Sequence, residues 1–276
     1  MEAYTGVYEH LALSAQMMAV ATGEIRLPSL PEQPAACYGG PPGLVPLWSY
    51  PDGPLVSGLW IQLFTDARTT SYVTCYVELG YEVVEVARSS EQLVTEVCLE
   101  EIVSEEGITP ELTRLAAQMK VENLEAIYNV AVATGDDLSG LLVLPAFQGD
   151  PPLRCCETPG VYHGGFPNKE MDLTDPDTLR TMSALELDES LRMEIQKSDH
   201  VPAWLRPHAD QISVFDELLA REDVLGCWKC LNSHGWKYGD SRDALHRLVS
   251  LTGNELLSAL AEAWCSLEHE RNGTGY

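Results

Sequence analysis

The sequence predicts an α+β fold, in which an antiparallel sheet flanked by helices is followed by a mainly helical part. The stretch 43–87 is rich in Val, Leu, Tyr, Trp and Thr, residues that suit a pleated, half-buried surface. Turn residues divide it into four short runs, which is typical of hairpins. From residue 211 onward, apolar residues recur at helical spacing.

Four strands are predicted within this stretch: Leu44–Tyr50, Leu55–Phe64, Ser71–Leu79 and Tyr81–Val86. A helix is predicted over 3–21. The proline-rich passage 27–46 between them is not expected to be helical, because proline lacks an N–H donor and clashes with the preceding turn. It is expected to wrap the edge of the sheet.

Helices dominate the prediction after residue 88. Ser89 or Ser90 caps a helix that ends at Gly107. Thr109 and Pro110 begin the next helix, since a capping hydroxyl before proline is a typical helix start. Further helices are predicted from Asn123 to Gly135, over Gln211–Arg221 and Val224–Leu231, from the cap Ser241 to Gly253, and from the cap Asn254 onward.

The middle of the chain is less regular. The apolar run 141–147 fits either a helix or a buried strand. The stretch 148–178 reads as a long loop, which is either functional or a connection between parts. A strand over 183–187 and a short helix are predicted next. Two domains follow from this reading, a sheet domain over 1–106 and a mainly helical domain over 107–276.

The charge balance limits the partners. The chain has 17 basic and 42 acidic residues, a formal net charge of −25. Such a surface repels nucleic-acid phosphates and anionic lipids, so neither nucleic acid nor membrane is expected as a partner. It favours encounter with a basic protein. The alternative is that the acidity only provides solubility.

The acidic residues are concentrated in one region. Between Glu78 and Glu111 there are ten, and Arg88 is the only basic residue. This predicts a contact surface, with an ordinary solvated helix face as the alternative. Aromatic side chains that are half exposed would anchor such an interface. The residues predicted to bind the partner are Glu82, Glu85, Glu96, Glu100, Glu101, Glu105, Trp60 and Trp236.

The cysteines indicate a reducing compartment. Eight are present, at positions 37, 75, 98, 155, 156, 227, 230 and 265. Several occupy apolar positions of predicted elements, where a free thiol behaves as a small hydrophobic group. We therefore expect a cytoplasmic protein. A signal peptide is not expected, because the first ten residues contain no Lys or Arg.

Cys227 and Cys230, followed by His234, form the sharpest local pattern. Such a pair holds zinc when two further ligands complete the site. Cys155, Cys156 and His163 are candidates for those ligands. The alternative is that Cys227 and Cys230 lie one helical turn apart in the core. We favour this alternative, so no metal site is predicted.

Cys155 or Cys156, with His163 and Asp172, also fits the order of a nucleophile, a base and an orienting carboxylate. Triads are recognised by geometry rather than by order along the chain. No phosphate-binding glycine loop, nucleophile-elbow serine or H-E-x-x-H pattern occurs. The sequence therefore predicts no catalytic residue and no cofactor. A thiol- or zinc-dependent enzyme and a helical interaction scaffold remain as alternatives to a binding protein.

Tyr38–Gly40, followed by Gly43–Leu47, resembles the SMI1/KNR4-like immunity superfamily. In that family an N-terminal helix and a proline-containing approach lead to a "G-hydrophobic-x-P-L" opening of the sheet, and further strands and an acidic helix follow. The resemblance covers residues 5–105 and leaves the rest of the chain unexplained. It implies a bacterial, antitoxin-like inhibitor that blocks a secreted toxin domain.

Overall fold

The computed structural model of the protein describes residues 2–28, 31–33, 35, 39–50, 54–267 and 275–276. The fold is α+β, as predicted, with a four-stranded antiparallel sheet and a helical C-terminal part. Neighbouring strands follow the chain order β1-β2-β3-β4. The strands are β1 (Leu44–Tyr50), β2 (Leu55–Trp60), β3 (Ser71–Tyr76) and β4 (Glu82–Ala87).

Helices make up most of the remainder, joined by short 3-10 turns. The described part contains α1 (Thr5–His10), α2 (Ala15–Ala21), α3 (Ser90–Ser104), α4 (Pro110–Met119), α5 (Leu124–Thr134), α6 (Pro176–Arg180), α7 (Glu189–Ile195), α8 (Gln211–Ala220), α9 (Val224–Leu231), α10 (Tyr238–Thr252) and α11 (Glu255–Cys265). The capping predictions hold at three starts, where Ser89, Thr109 and Asn254 each accept a hydrogen bond from the first turn of their helix.

Several predicted elements are wrong in detail. The predicted helix 3–21 is two helices, because Ala12 adopts φ of 51° and Ser14 caps α2. The predicted strand 183–187 is a 3-10 turn, in which the Glu186 carboxylate folds back onto the Ser183 N–H at 2.8 Å. The run 141–147 also forms 3-10 turns. α10 begins at Tyr238, before the predicted cap Ser241.

The two faces of the sheet are set by the strand register. Tyr50, Leu55 and Tyr76 lie side by side across β1, β2 and β3, and so do Trp48, Ser57 and Thr74. These rows form the face toward α3, which we call the α3 face. The opposite face carries Val56, Cys75 and Val83 in one row, all of them buried.

The prediction that the proline-rich passage 27–46 packs along the edge of the sheet is confirmed at one position. Glu32 and Ser49 exchange backbone hydrogen bonds of 2.6 and 3.1 Å, which adds a bridge to the edge strand β1. Cys37 and Tyr38, which were singled out in the sequence, lie outside the described residues.

One hydrophobic core extends across the predicted domain boundary at 106/107. It contains buried residues from Tyr4 to Tyr276. Hydrogen bonds also join the start of the sheet to the C-terminal helices. Gly43 N donates to Asn232 Oδ1 at 2.6 Å, and the indole nitrogen of Trp264 donates to the Gly40 carbonyl at 3.0 Å. The two predicted parts therefore share a core.

A buried carboxylate, Glu186, connects the sheet to the helices. Its Oε1 accepts a hydrogen bond from the Trp60 indole at 2.5 Å, and its Oε2 accepts one from Arg68 at 2.8 Å. Gln62 extends the network, since its amide nitrogen donates to Glu186 at 3.3 Å and its carbonyl accepts from Lys229 at 2.6 Å. The network thus joins the end of β2, the following loop, the 183–186 turn and α9.

The charges in this network are mutually dependent. Burial raises the pKa of Glu186, but Arg68 and then Lys229 outweigh that effect and lower it to about 2. Burial lowers the pKa of Lys229 to about 7, and Glu186 opposes that shift. The Glu186 carboxylate is therefore ionised at physiological pH, with the Arg68 guanidinium beside it.

We expect Glu186→Gln to lower the free energy of unfolding by about 3–5 kcal/mol, because it leaves the charge of Arg68 buried without a counter-ion. Urea unfolding at pH 7 measures the effect. The control is Glu217→Gln, which removes an exposed ion pair on α8 and should cost about 1 kcal/mol or less. Equal losses in the two variants would contradict the role given to Glu186.

The pH dependence has a defined sign. Because the folded-state pKa of Glu186 lies below its ordinary value of 4.5, the stability it contributes is present above that value. It is lost as the pH falls through about 2.

Candidate functional site

Five of the eight predicted partner-binding residues are buried, and the prediction that they lie on the surface is wrong. Trp60 is 1% exposed and Trp236 is 2% exposed. Both use their indole N–H internally, Trp60 on Glu186 and Trp236 on the Cys230 carbonyl at 2.7 Å. The three glutamates among the five are Glu85, Glu96 and Glu101.

Glu85 lies on the face of the sheet opposite α3. Its carboxylate accepts hydrogen bonds from the Tyr162 hydroxyl at 2.8 Å and the Leu153 N–H at 3.1 Å. Burial raises its pKa, and these two hydrogen bonds oppose the shift. Glu85 therefore fixes the 153–162 segment beside β4 and is not available to a partner.

The acidic residues of α3 do not form one exposed face. Glu91 and Glu100 are nine residues apart, which at about 100° per residue puts them on opposite sides of the helix. Most of the helix circumference is buried, including Glu96 and Glu101. What remains for a partner is Glu100 and Glu105, which are exposed, and Glu82, which is partly exposed.

Glu96 and Glu100, one helical turn apart, border a groove between α3 and the α3 face of the sheet. Its volume is about 240 Å³. The rings of Trp48, Tyr50 and Tyr76 form part of its wall, and Arg154 reaches it from the turn beside β4. The groove thus brings together two of the predicted contact residues, an aromatic lining and one basic side chain. We call it the acidic groove.

Glu96 is the central group of the acidic groove. Its Oε1 forms an ion pair with Arg154, while its buried Oε2 has no hydrogen-bond partner within the described ranges. Burial raises the pKa of Glu96 to about 7; Arg154 opposes the shift and Glu100 adds to it. One carboxylate oxygen is therefore left without the donor that a buried acceptor normally has.

The neighbouring groups share this environment. Burial, followed by the charge of Glu100, raises the pKa of the Tyr50 hydroxyl. The Trp48 indole opposes that shift from nearby, but its Nε1 makes no hydrogen bond of normal geometry to any described residue. Partial desolvation also raises the pKa of Glu100, against the effect of Arg154. When Glu96 is ionised, two carboxylates and one guanidinium leave the groove with an excess of negative charge.

A group that donates hydrogen bonds and carries positive charge fits this arrangement. An ammonium or guanidinium donates to an ionised carboxylate through a charge-assisted hydrogen bond. Aromatic rings attract the same cations through their π faces. The acidic groove can therefore hold the side chain of a Lys or Arg.

Sequence reasoning found Glu96 and Glu100 but missed Tyr50 and Arg154. The spacing of the two glutamates indicates a shared side of α3, and the alternation in β1 places Trp48 and Tyr50 on one face. Arg154 lies 58 residues from Glu96 along the chain. No local pattern indicates that pairing.

The cysteine pair of α9 is part of the core. Cys227 and Cys230 are fully buried, and the Cys230 thiol donates to Gln211 Oε1 at 3.1 Å. Burial raises the pKa of the Cys227 thiol to about 12 and that of Cys230 far above its ordinary value. No group of three or more His, Cys, Asp and Glu in the described part has the arrangement of a metal site.

His234, which follows Cys227 and Cys230 in the sequence pattern, contacts Arg192 instead of the two thiols. Its Nε2 lies 3.3 Å from a guanidinium nitrogen of Arg192. Burial, and then the Arg192 charge, lowers the pKa of His234 to about 4. The histidine is therefore neutral at physiological pH and packs against a cation.

The residues considered as a nucleophile, a base and an orienting carboxylate have other roles. Cys155 is buried, and burial followed by the charge of Glu96 raises its pKa to about 12. His163 is exposed. Asp172 accepts hydrogen bonds from the backbone and hydroxyl of Thr174 at 2.9 and 2.6 Å, which is the geometry of a turn. Neither a nucleophilic thiolate nor an orienting carboxylate is assembled there.

Another cavity, of about 620 Å³, lies between α2, α3, α4 and α5. Met17, Val94 and Leu144 are among its apolar lining, and Glu91 and Lys120 are at its wall. No unpartnered buried polar atom of the described chain lines it. We therefore take the acidic groove as the candidate site.

Comparison with known protein families, with curated proteins and with solved structures finds no match. The resemblance to the SMI1/KNR4-like superfamily therefore stays a prediction. Across the described part of the chain, every helix is too short or too polar to cross a membrane.

We expect the stability of the wild-type chain relative to Glu96→Gln to fall as the pH rises from 5 to 8. The folded-state pKa of Glu96, about 7, lies above its ordinary value of 4.5. Its contribution is therefore complete below pH 4.5 and is lost as the pH passes through about 7. Urea unfolding at several pH values measures the difference, and Glu105→Gln is the exposed control. A difference that stays constant from pH 5 to 8 would mean that Glu96 titrates normally.

We expect Cys156 and Cys265 to react with N-ethylmaleimide before the five buried thiols, because both are partly exposed. The buried thiols are Cys75, Cys98, Cys155, Cys227 and Cys230. Mass spectrometry of peptides from native protein gives the labelling rate at each site. Rapid labelling of Cys227 and Cys230, or one equivalent of zinc in the purified protein, would restore the thiol or zinc interpretation.

Proposed function

We propose that the chain is an acidic binding protein that neutralises a basic protein partner. The specific form we propose is a bacterial immunity or antitoxin protein that inhibits a secreted toxin domain. The observation that carries the proposal is the unpartnered, buried oxygen of Glu96 in the acidic groove. A Lys or Arg side chain from the partner supplies the missing donor.

The net charge of the whole chain also favours a basic partner. A net charge of −25 attracts a basic protein from a distance and speeds its encounter. Glu100 and Glu105 are exposed along α3, so they meet an approaching partner first. The encounter then places one basic side chain against Glu96.

The order of elements gives a further argument. Helices α1 and α2, the sheet that opens at Leu44, and the acidic helix α3 follow one another in the order that the SMI1/KNR4-like resemblance implies. Within the same proposal the protein acts in the cytoplasm, where its buried thiols stay reduced.

The alternative of a thiol or zinc enzyme has less support. Three of the four cysteines that it requires, Cys155, Cys227 and Cys230, are buried. The pKa of all four thiols, Cys156 included, is raised, whereas a nucleophilic thiol needs a lowered one. A helical scaffold would bind through a large exposed apolar patch. The exposed large apolar side chains among the described residues are spread from Leu79 to Leu251 along the chain.

We expect the tagged chain to capture the product of a neighbouring gene when the two are co-expressed. Glu100→Gln combined with Glu105→Gln should slow association several-fold at low salt, and the difference should shrink at high salt as the charges are screened. Surface plasmon resonance measures the association rate and its dependence on salt concentration. Glu217→Gln on α8 is the control variant. Recovery of no protein partner at low salt would contradict the proposal.

The pH dependence of the complex separates the acidic groove from the rest of the surface. A cation binds the ionised form of Glu96, so the complex should tighten between pH 6 and 8 across the pKa of about 7. The variant Glu96→Gln should lose this dependence while it keeps the salt dependence. A complex with the same pH profile in both proteins would place the contact away from the acidic groove.

A further inference from the structure

A second cavity carries the opposite charge. It lies between α7, the 203–211 segment and the loop that joins α9 to α10, with a volume of about 310 Å³. Four residues with basic side chains line it, Arg192, Arg206, His208 and His234, and its lining contains no Asp or Glu. In a chain with 42 acidic and 17 basic residues, this composition is unusual. We call this cavity the cationic pocket.

Arg192 lacks the partners that a partly buried guanidinium normally has. Its Nε is buried and has no hydrogen-bond partner among the described residues, and no ion pair involves Arg192 there. Its contact with His234 Nε2 at 3.3 Å leaves the charge uncompensated, because the imidazole is neutral at physiological pH. Since arginine only donates hydrogen bonds, His234 accepts at Nε2.

Arg206 adds a second charge at the rim. It is exposed, and its Nε donates to the Val201 carbonyl at 3.4 Å, a long hydrogen bond. Two acidic residues close in sequence to the lining interact with other groups. Glu194 pairs with Lys197 at 2.6 Å, and Asp210 accepts from the Ser213 hydroxyl at 2.6 Å. An anion in the cationic pocket would therefore meet two guanidinium groups without a competing carboxylate on its wall.

The remaining wall is apolar. Leu187, Ile195, Leu205 and the buried Trp204 line the cavity. Burial of apolar surface contributes to binding, so a ligand with a hydrophobic body gains over a bare ion. Guanidinium groups match the geometry of carboxylates and phosphates.

We propose that the cationic pocket binds a small organic oxyanion, either a carboxylate or a phosphate monoester with an apolar body. The oxyanion pairs with the guanidinium group of Arg192, with Arg206 beside it, and the apolar body packs on Trp204 and Leu187. This inference does not depend on the basic partner proposed above, since it uses different residues and the opposite charge.

Isothermal titration calorimetry with four probes tests the proposal: benzoate, phenyl phosphate, inorganic phosphate and uncharged benzamide. We expect benzoate or phenyl phosphate to bind and benzamide to fail. Phenyl phosphate should bind more tightly than inorganic phosphate. Preference for one of the two organic probes identifies the head group. Equal affinity for inorganic and phenyl phosphate would overturn the organic character of the ligand, and failure of both organic anions would overturn the site.

Two variants locate the binding. Arg192→Gln and Arg206→Gln should each weaken the better organic anion about tenfold or more, the size expected for a charged hydrogen bond. Arg206 is exposed, so its variant tests the site even where Arg192→Gln perturbs folding. The control is Arg221→Gln on α8, which should leave affinity unchanged. Unchanged affinity in Arg206→Gln and Arg192→Gln, with circular dichroism showing both folded, would overturn the assignment.

Discussion

The arrangement of this protein depends on one buried carboxylate. Glu186 accepts hydrogen bonds from Trp60 at the end of β2 and from Arg68 in the following loop. Gln62 extends the network to Lys229 on α9. Burial of any one of these charges alone would be strongly unfavourable, and a buried charge persists only when it is paired and hydrogen-bonded. The sheet and the C-terminal helices are therefore held in one relative position, although they are distant in sequence.

The site lies on the less completely buried face of the sheet. Val56, Cys75 and Val83 on the opposite face are all buried. On the α3 face, Tyr50, Thr74 and Tyr76 stay partly exposed along the acidic groove. Glu96 is buried where α3 meets this face, and among the described residues Arg154 is its ion-pair partner.

Local patterns predicted local structure well. The strand Leu44–Tyr50 and the helix Val224–Leu231 agree with the structure residue for residue, because alternation, helical spacing and caps are properties of neighbouring residues. Burial of charge was not predictable in this way. Glu85 and Glu186 are buried through Tyr162 and Arg68, 77 and 118 residues away. Charged residues are mostly exposed unless they are paired. A prediction from local sequence does not include these distant pairing residues, and it therefore places Glu85 and Glu186 on the surface.

The two cavities with a proposed ligand follow a common rule. Buried polar atoms in folded proteins almost always have a hydrogen-bond partner, and Glu85 and Glu186 obey it fully. Among the described residues four buried side-chain atoms do not, on Trp48, Glu96, Arg192 and Arg242. The first two line the acidic groove and the third lines the cationic pocket. A cationic ligand would supply the donor that Glu96 lacks, and an anionic ligand would supply the acceptor that Arg192 lacks, which are the two kinds of ligand that we propose.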